Sequence, residues 1–342
     1  MNWNNGFSAS YYGTVVDVHS WLDTTDDGKP LFDIMGGSIS RSVTSLRESA
    51  DIDCRNRRPK GEQWVRIYLN TRQGGSNEHT ALFTGLAVSP QREINGNIED
   101  NALECYSVLK PCEDVLLSRG WYAPAGTSGA TLVQSLLRAT TPAPVIVQGE
   151  SPRLMSHIVA ENEENHLSMA DKILNAMGWR LKILGNGTIV ICELAREQSA
   201  MFDAIENDSI RPQLKVTDDF YSCPNVFRAT SGDVSAEARD ESPTSPMSIP
   251  NRGREVWASE GSVNLSDSES LGDYARRRLK ELQQHAMSVE YTRRYNPDVL
   301  VTDIVRLNYP KQDVSGLFVV TSQKITLGFG AETSEEVEQI GY

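Results

Sequence analysis

Cationic side chains are scarce in this sequence: 33 Lys and Arg stand against 46 Asp and Glu over 342 residues, a formal net charge of −13. A chain with that balance does not grip a phosphate backbone by neutralising it, although acidic walls can enclose nucleic acid without binding it. Cysteine is sparse too. The five (Cys54, Cys105, Cys112, Cys192 and Cys223) form no CxxC pair, which argues against a disulfide framework and against a zinc site. They read as small buried hydrophobes in a reducing compartment. No apolar run approaches the length of a membrane span, and MNWNNGFSAS lacks the basic and apolar regions of a signal peptide. The expectation is a soluble chain made in the cytoplasm. HExxH, GxSxG and the kinase and Rossmann fingerprints are missing as well, and APAGTSGATL lacks the Lys-Ser/Thr ending of a phosphate loop.

What is present is patterning. Hydrophobic residues make up 39% and charged residues 23%, an ordinary globular composition, and the length suits two or three domains. Between 8 and 112, strand-length runs such as SYYGTVVDVHSW, SISRSVTSL, EQWVRIYLNT and TALFTGLAVSP recur about every ten residues, which predicts a closed barrel or a sandwich. In QWVRIYL, Val65, Ile67 and Leu69 share the core face, while Trp64, Arg66 and Tyr68 share the other.

From 113 the character changes. ATLVQSLLRA reads as a helix with Leu132, Leu136 and Leu137 on one face. SMADKILNAMG reads as a second, with Ser168 as its cap and Gly178 as its end. WRLKIL and TIVICEL flank Asn186-Gly187, a hairpin signal. Beyond 198 the strands resume, interrupted by a Pro/Ser-rich loop at 240–253, long enough to be mobile or to meet a partner. A helix at 267–287 follows, with Ser266 and Glu269 as a capping box, Asp273 paired to Arg277, and Leu271, Ala275, Leu279, Leu282 and Ala286 on one face. The closing ETSEEVEQIGY reads as an acidic tail, frayed or ordered only by a partner. The organisation is therefore a strand block at 1–112, an α/β insert at 113–200 and a second strand block at 201–342. No close repeat is visible, but two β blocks of similar length permit an internal structural duplication.

Candidate chemistry is thin. Glu48, Asp51, Asp53 and Cys54 lie within ESADIDC, yet period-two alternation sends Ile52 and Cys54 to one face and the two aspartates to the other. His157, Glu161, Glu163, Glu164 and His166 form the densest set of possible ligands. They support either a metal or hydrolytic site or a solvated polar loop. Trp64 and Tyr68, alternating outward, would serve a carbohydrate-binding face. RNRRPK is the one basic run, either a solvated hairpin tip or a contact for an acidic partner. No coherent catalytic set emerges, and no cofactor or metal is implied.

The order of features resembles the baseplate hub proteins of phage tails and related contractile injection machines. SLGDYARRRLKELQQHAMSVEYTRRYNPDVLVTDIVRLNYPKQDVSGLFVVTSQKITLGF looks like that family's helix (A-x-x-x-L-x-E) and the strands after it. The matching turn is Asn296-Pro297, the acid Asp303 precedes Ile304-Val305, and Gly316-Leu317-Phe318-Val319-Val320 opens the next strand. SISRSVTSLRESADIDC is similar to the family's early strand block. Thr302 stands where the family often has Gly, and Lys324 where it often has His. The resemblance implies a mainly β fold: two tail-tube-like β-barrels, a small α/β module and one long amphipathic helix. It further implies a structural, non-enzymatic virion protein whose homotrimer presents six barrels. Such a ring would adapt a hexameric tail tube to a trimeric spike or tail-tip protein, beside other baseplate proteins, and line a channel that DNA traverses without specific binding. The interface residues expected from loop position are Arg55, Arg57, Arg58, Lys60, Pro243 and Pro246. The competing readings are a tail-associated cell-wall hydrolase and a carbohydrate-binding module.

Overall fold

Strands dominate the chain, as its period-two patterning requires. The structure, a computed structural model, describes residues 6–24, 32–44, 46–55, 61–96, 98–193, 198–203, 210–218, 220–284, 287–328 and 331–340. The first block holds β1 (Ser8–Val16), β2 (Asp23–Thr24), β3 (Phe32–Ser42), β4 (Glu48–Arg55), β5 (Gln63–Gln73), β6 (Ser76–Asn95) and β7 (Ile98–Ser107). Next come α1 (Lys110–Asp114), β8 (Tyr122–Ala123), α2 (Gly129–Arg138), β9 (Val145–Val147), β10 (Ile158–Val159), α3 (His166–Met177), β11 (Trp179–Ile183) and β12 (Ile189–Glu193). Then follow β13 (Gln198–Asp203), β14 (Ile210–Asp218), β15 (Val226–Ser231), β16 (Val234–Arg239), α4 (Ile249–Arg252), β17 (Trp257–Glu260) and α5 (Leu271–Gln284). The chain closes with β18 (Met287–Arg294), β19 (Ile304–Tyr309), β20 (Val314–Thr326) and β21 (Glu332–Gln339).

Both halves build the same figure. The strands β3-β4-β7-β6-β5-β1 form a barrel that pairing of β1 with β3 closes. The strands β14-β18-β21-β20-β19-β13 repeat that spatial order and, strand for strand, the chain order as well. Two departures stand among the described residues: β13 lies parallel to β19 whereas β1 lies antiparallel to β5, and no pairing of β13 with β14 matches that of β1 with β3. Register matches too: Ala50 faces Cys105 between β4 and β7 as Val289 faces Val337 between β18 and β21. A register shift follows in each long strand, between Val88 and Gln91 in β6 and between Val320 and Ser322 in β20. Past its shift β20 leaves β19 and pairs with β3, from Ser322↔Ser42 to Thr326↔Ser38. That pairing fuses the two barrels into one 13-stranded sheet.

Each unit has its own core. Ile39, Ile52, Val65, Ile67, Leu69 and Phe83 fill the first barrel, joined by Ile325 and Leu327 from beyond the seam. Val289, Val305, Leu307, Phe318, Val320 and Val337 fill the second. α2 and α3 pack on the three-stranded sheet β11-β12-β9 through Val133, Leu137, Ile173 and Leu174. A further small sheet, β16-β15-β17, carries α5 on one face through Phe227, Tyr274, Ala275 and Leu279. Gly37 is required where β3 crosses β4: its φ is +124°, and a Cβ there would lie 2.1 Å from the Asp51 carbonyl oxygen.

Several local expectations change. The closing segment is not a frayed tail: β21 lies between β18 and β20 with Thr333, Glu335 and Val337 turned inward and buried. Alternation holds there, and a buried arginine accommodates the one inward acid. The 240–253 loop is pinned, since Asn225 donates to the Met247 carbonyl and Asn251 to the carbonyls of Pro243 and Ser245. α5 begins at Leu271 rather than 267, because the Ser270 hydroxyl accepts from the Asp273 amide. On that helix Arg277 pairs with Glu269 and Glu281, and Asp273 pairs with Arg276. Ala286 lies outside the described residues. α3 is capped by Asn165, which accepts from the Ser168 amide, so the helix starts before the expected cap. Gly178 closes it in the left-handed conformation, φ 68°.

Candidate functional site

The side chains picked out by type do not assemble into a catalytic site. In β4, Asp51 and Asp53 point outward while Ile52 and Cys54 are buried, as alternation dictates. Glu48 belongs to the inward row. Burial pushes its carboxyl up to about 8 against the pull of Arg41, whose Nε lies 3.5 Å away. The 157–166 set separates into unrelated roles. His157 Nδ1 accepts from the Ala125 amide and its ring meets Tyr122 edge-on at 5.6 Å. His166 Nδ1 sits 3.0 Å from the Leu136 carbonyl, against α2. Buried Glu164 accepts from the Glu161 amide, the Ser168 hydroxyl and Lys172, so it fastens the loop onto α3. Glu163 merely occupies the turn, with φ 62°. Among the described residues no group of three His, Cys, Asp or Glu is placed to hold a metal.

The Trp64, Arg66 and Tyr68 face is not an open platform. Trp64 tilts against Trp21 at 5.5 Å and packs on the insert core. Arg66, 6% exposed, donates to Thr84, Asp23 and the Asn186 carbonyl, and Tyr68 stacks on Tyr12 at 5.0 Å with its hydroxyl on Asp23. Of the loop residues, Arg55 pairs with Asp100 at 2.8 Å. Pro243 and Pro246 are exposed, whereas Arg57, Arg58 and Lys60 lie outside the described residues.

What the fold does assemble is a wall. Across β7, β4, β3, β20, β21, β18 and β14 the outward side chains form cross-strand rows. One runs Glu104, Asp51, Ser38 and Thr326. The next runs Tyr106, Ser49, Ser40, Lys324, Ser334 and Thr292. A third runs Ser42, Ser322, Glu336, Glu290 and Lys215. These rows carry carboxylates, short hydroxyls and two lysines, with Tyr106 at the β7 margin, its hydroxyl on Glu104, as their one aromatic side chain. The wall is shallowly grooved, with hollows of about 520 Å³ beside Asp51 and Asp53 and about 650 Å³ over the seam by Ser40 and Ser322. Such a surface is hydrated, acidic and poor at holding anything.

Directly behind it runs a buried row spanning both barrels: Glu48, Arg41, Gln323, Glu335 and Tyr291 stand opposite one another in register from β4 to β18. Arg293 closes a two-point pair on Glu335, Nε at 2.7 Å and Nη2 at 2.5 Å, with both side chains at most 1% exposed. The Gln323 amide donates to Glu335 and to the Val299 carbonyl, and its oxygen accepts from Arg41 at 3.5 Å. Gln323 thus links the ionic pair of one barrel to that of the other. Breaking a buried pair of this kind leaves an uncompensated charge, about 3–5 kcal/mol, so the seam is stiff.

The insert braces the seam from outside. Arg47 reaches Asp171 on α3 at 2.6 Å, and the Thr84 hydroxyl donates to the Gly185 carbonyl. On the other barrel Lys182 grips both oxygens of Asp303 at 2.9 and 3.1 Å, and Arg180 donates to the Thr302 carbonyl. The Asn186-Gly187 turn of the β11–β12 hairpin presses on the first barrel: a Cβ at Gly185 would sit 1.8 Å from the Ala81 carbonyl oxygen. Sequence reasoning found the hairpin but not its purpose. The signals for the buried row were present, since Val289, Tyr291 and Arg293 share a face, as do Thr333, Glu335 and Val337; their pairing was not readable.

No protein-family model matches the chain, and no curated protein matches it in sequence. Its fold has clear counterparts. A tail protein from Neisseria meningitidis superposes with a TM-score of 0.70 at 13% identity, covering 98% of this chain and 97% of that one. The 43 kDa tail protein of a Shewanella oneidensis prophage gives 0.65 at 11% identity over 98% and 96%. An Escherichia coli type VI secretion component, described as similar in structure to bacteriophage T4 tail proteins, gives 0.56 at 8% identity over 91% and 74%. The chain therefore has the fold of these phage tail proteins and of the type VI secretion component.

Proposed function

From that fold we propose that the chain is a structural hub of a phage-type tail baseplate, residing in the virion. Three copies form a ring of six barrels, which meets a hexameric tail tube on one side and a trimeric spike or tail-tip protein on the other. The observation that carries this reading is the duplication of one barrel within one chain, the two copies fused edge to edge through β20 and β3. A unit with two equivalent barrels converts threefold into sixfold symmetry without a second kind of subunit. The buried row and the braces of the insert suit such an adaptor, because both binding faces must hold their angle.

The wall faces the central channel in this reading. DNA slides past carboxylates and hydroxyls that repel or ignore phosphates, in keeping with a net charge of −13. No catalytic residue, cofactor or metal takes part. The test is to mix the purified chain with tail tube and spike proteins of the same virion and weigh the complex. Three copies of the chain per spike trimer are expected; one copy per complex, or no association with either protein, overturns the reading.

A further inference from the structure

The seam inside the chain has an unfilled equivalent at each end of the wall. Superposing the two barrel orders places β6 on β20 and β14 on β3. The part of β20 beyond its register shift pairs with β3, whereas the same part of β6, from Val88 to Asn95, pairs only with β7 among the described residues. Likewise, among the described residues β14 pairs only with β18, while its counterpart β3 has partners on both sides. One chain thus presents half a seam at each end of its wall.

The exposed apolar residues fit this account. Leu327, just past β20, is 2% exposed in the first barrel's core; its counterpart beyond the shift of β6 is Ile94, 58% exposed. Ile39 on β3 is fully buried; its counterpart on β14 is Val216, 38% exposed. An isolated exposed apolar residue means little. Two that occupy the buried positions of an existing seam mark that seam's missing half.

We infer that β6 (Val88–Asn95) of one copy pairs antiparallel with β14 of the next, in the register that β20 and β3 adopt within a chain. Thr326 faces Ser38 inside the chain, and their counterparts are Glu93 and Lys215, which brings opposite charges together across the subunit boundary. Ile94 then enters the open side of the neighbour's second barrel near Leu214, as Leu327 enters the first barrel, its amide on the Gly37 carbonyl. The contact is heterologous, each copy using one edge and offering the other, and a rotation that closes it makes a ring. Every strand edge of the wall becomes paired, which removes the aggregation hazard of an open β14 edge.

The inference rests on the trimeric reading above, and the test separates the two. Full-length chain carrying Glu93→Cys and Lys215→Cys is treated with a short thiol crosslinker, while native mass spectrometry reads its oligomeric state across a concentration series. The expected result is covalent dimers and trimers at several-fold higher yield than from Glu93→Cys with Thr217→Cys, a pair two residues out of register on the same face. A trimer in which the 93–215 pair crosslinks no better than that control overturns the strand pairing and leaves the trimer standing. A monomer at every concentration, also with the tube and spike proteins present, overturns both. The uncrosslinked double variant also serves as a check on folding, since both positions are exposed and its circular dichroism should match the parent chain.

Discussion

The two barrels follow one plan with different interiors. Where the first has Ile52, Cys54 and Leu103, the matching positions of the second are Tyr291, Arg293 and Glu335. The first barrel is closed by β1 on β3 and is mainly apolar, with the Arg41–Glu48 pair at the seam; the second has no such closure among the described residues and carries the tighter, two-point Arg293–Glu335 pair. Chemically different interiors therefore support the same strand ladder, because backbone pairing and inward burial set the barrel while the identity of each inward group is adjustable. The ion pair sits beside the seam, where Gln323 can share it. The row continues through Gln323 to Arg41 and Glu48 of the first barrel, so the polar groups of both interiors meet at the seam.

Substitutions can break this comparison directly. The largest effect is expected for Glu335→Ala, which strands Arg293 in a dry interior: a loss of about 3–5 kcal/mol in denaturant unfolding. Arg293→Met with Glu335→Leu, which makes the second barrel resemble the first, should recover most of that loss. Full recovery with the barrels still in one cooperative unit would mean the pair is not needed for coupling them. Next, Asp303→Ala removes the acid that Lys182 grips, and with it a brace between insert and second barrel. A loss of about 1–3 kcal/mol is expected, accompanied by faster amide exchange in β19 than in β5.

Glu48 gives a pH-dependent contrast. Its folded carboxyl is raised by burial to about 8, above its unfolded value, so the folded chain holds a proton that the unfolded chain has released between roughly pH 4.5 and 8. Stability contributed there is present at low pH and declines as pH rises through that window. Glu48→Gln should flatten the decline in melting temperature between pH 5 and 8, whereas an unchanged slope would place its origin elsewhere. The smallest effect belongs to Arg55→Ala. Its pair with Asp100 is about half exposed on both sides, and the change in stability should stay within about 0.5 kcal/mol.

Much of this was legible in the sequence, and the reasons are uneven. Alternation placed Val65, Ile67, Leu69, Ile52 and Cys54 inward because a strand's two faces depend only on local spacing. Asn186-Gly187 and Gly178 announced their turns because glycine's conformational freedom is also local. The closing acids misled: Glu332, Glu335, Glu336 and Glu338 in close succession look solvated, and only Arg293, 42 residues upstream, explains why Glu335 can be buried. Trp64 and Tyr68 misled likewise, since Trp64 packs on the distant insert and Tyr68 is engaged by Tyr12 and Asp23 more than forty residues upstream. The wall was invisible for the same reason. It consists of unremarkable serines, threonines and acids whose only signal is their alignment across strands.

The central claim is that two fused barrels per chain make a six-barrel ring around a polar channel. Electron microscopy of the chain assembled with its tube and spike proteins tests it most directly. The expected image is a ring of six similar lobes around an open centre, three chains in all, with β3, β20, β21 and β18 facing the lumen. A ring with those strands on its outer surface, or an assembly lacking sixfold lobes, would contradict it.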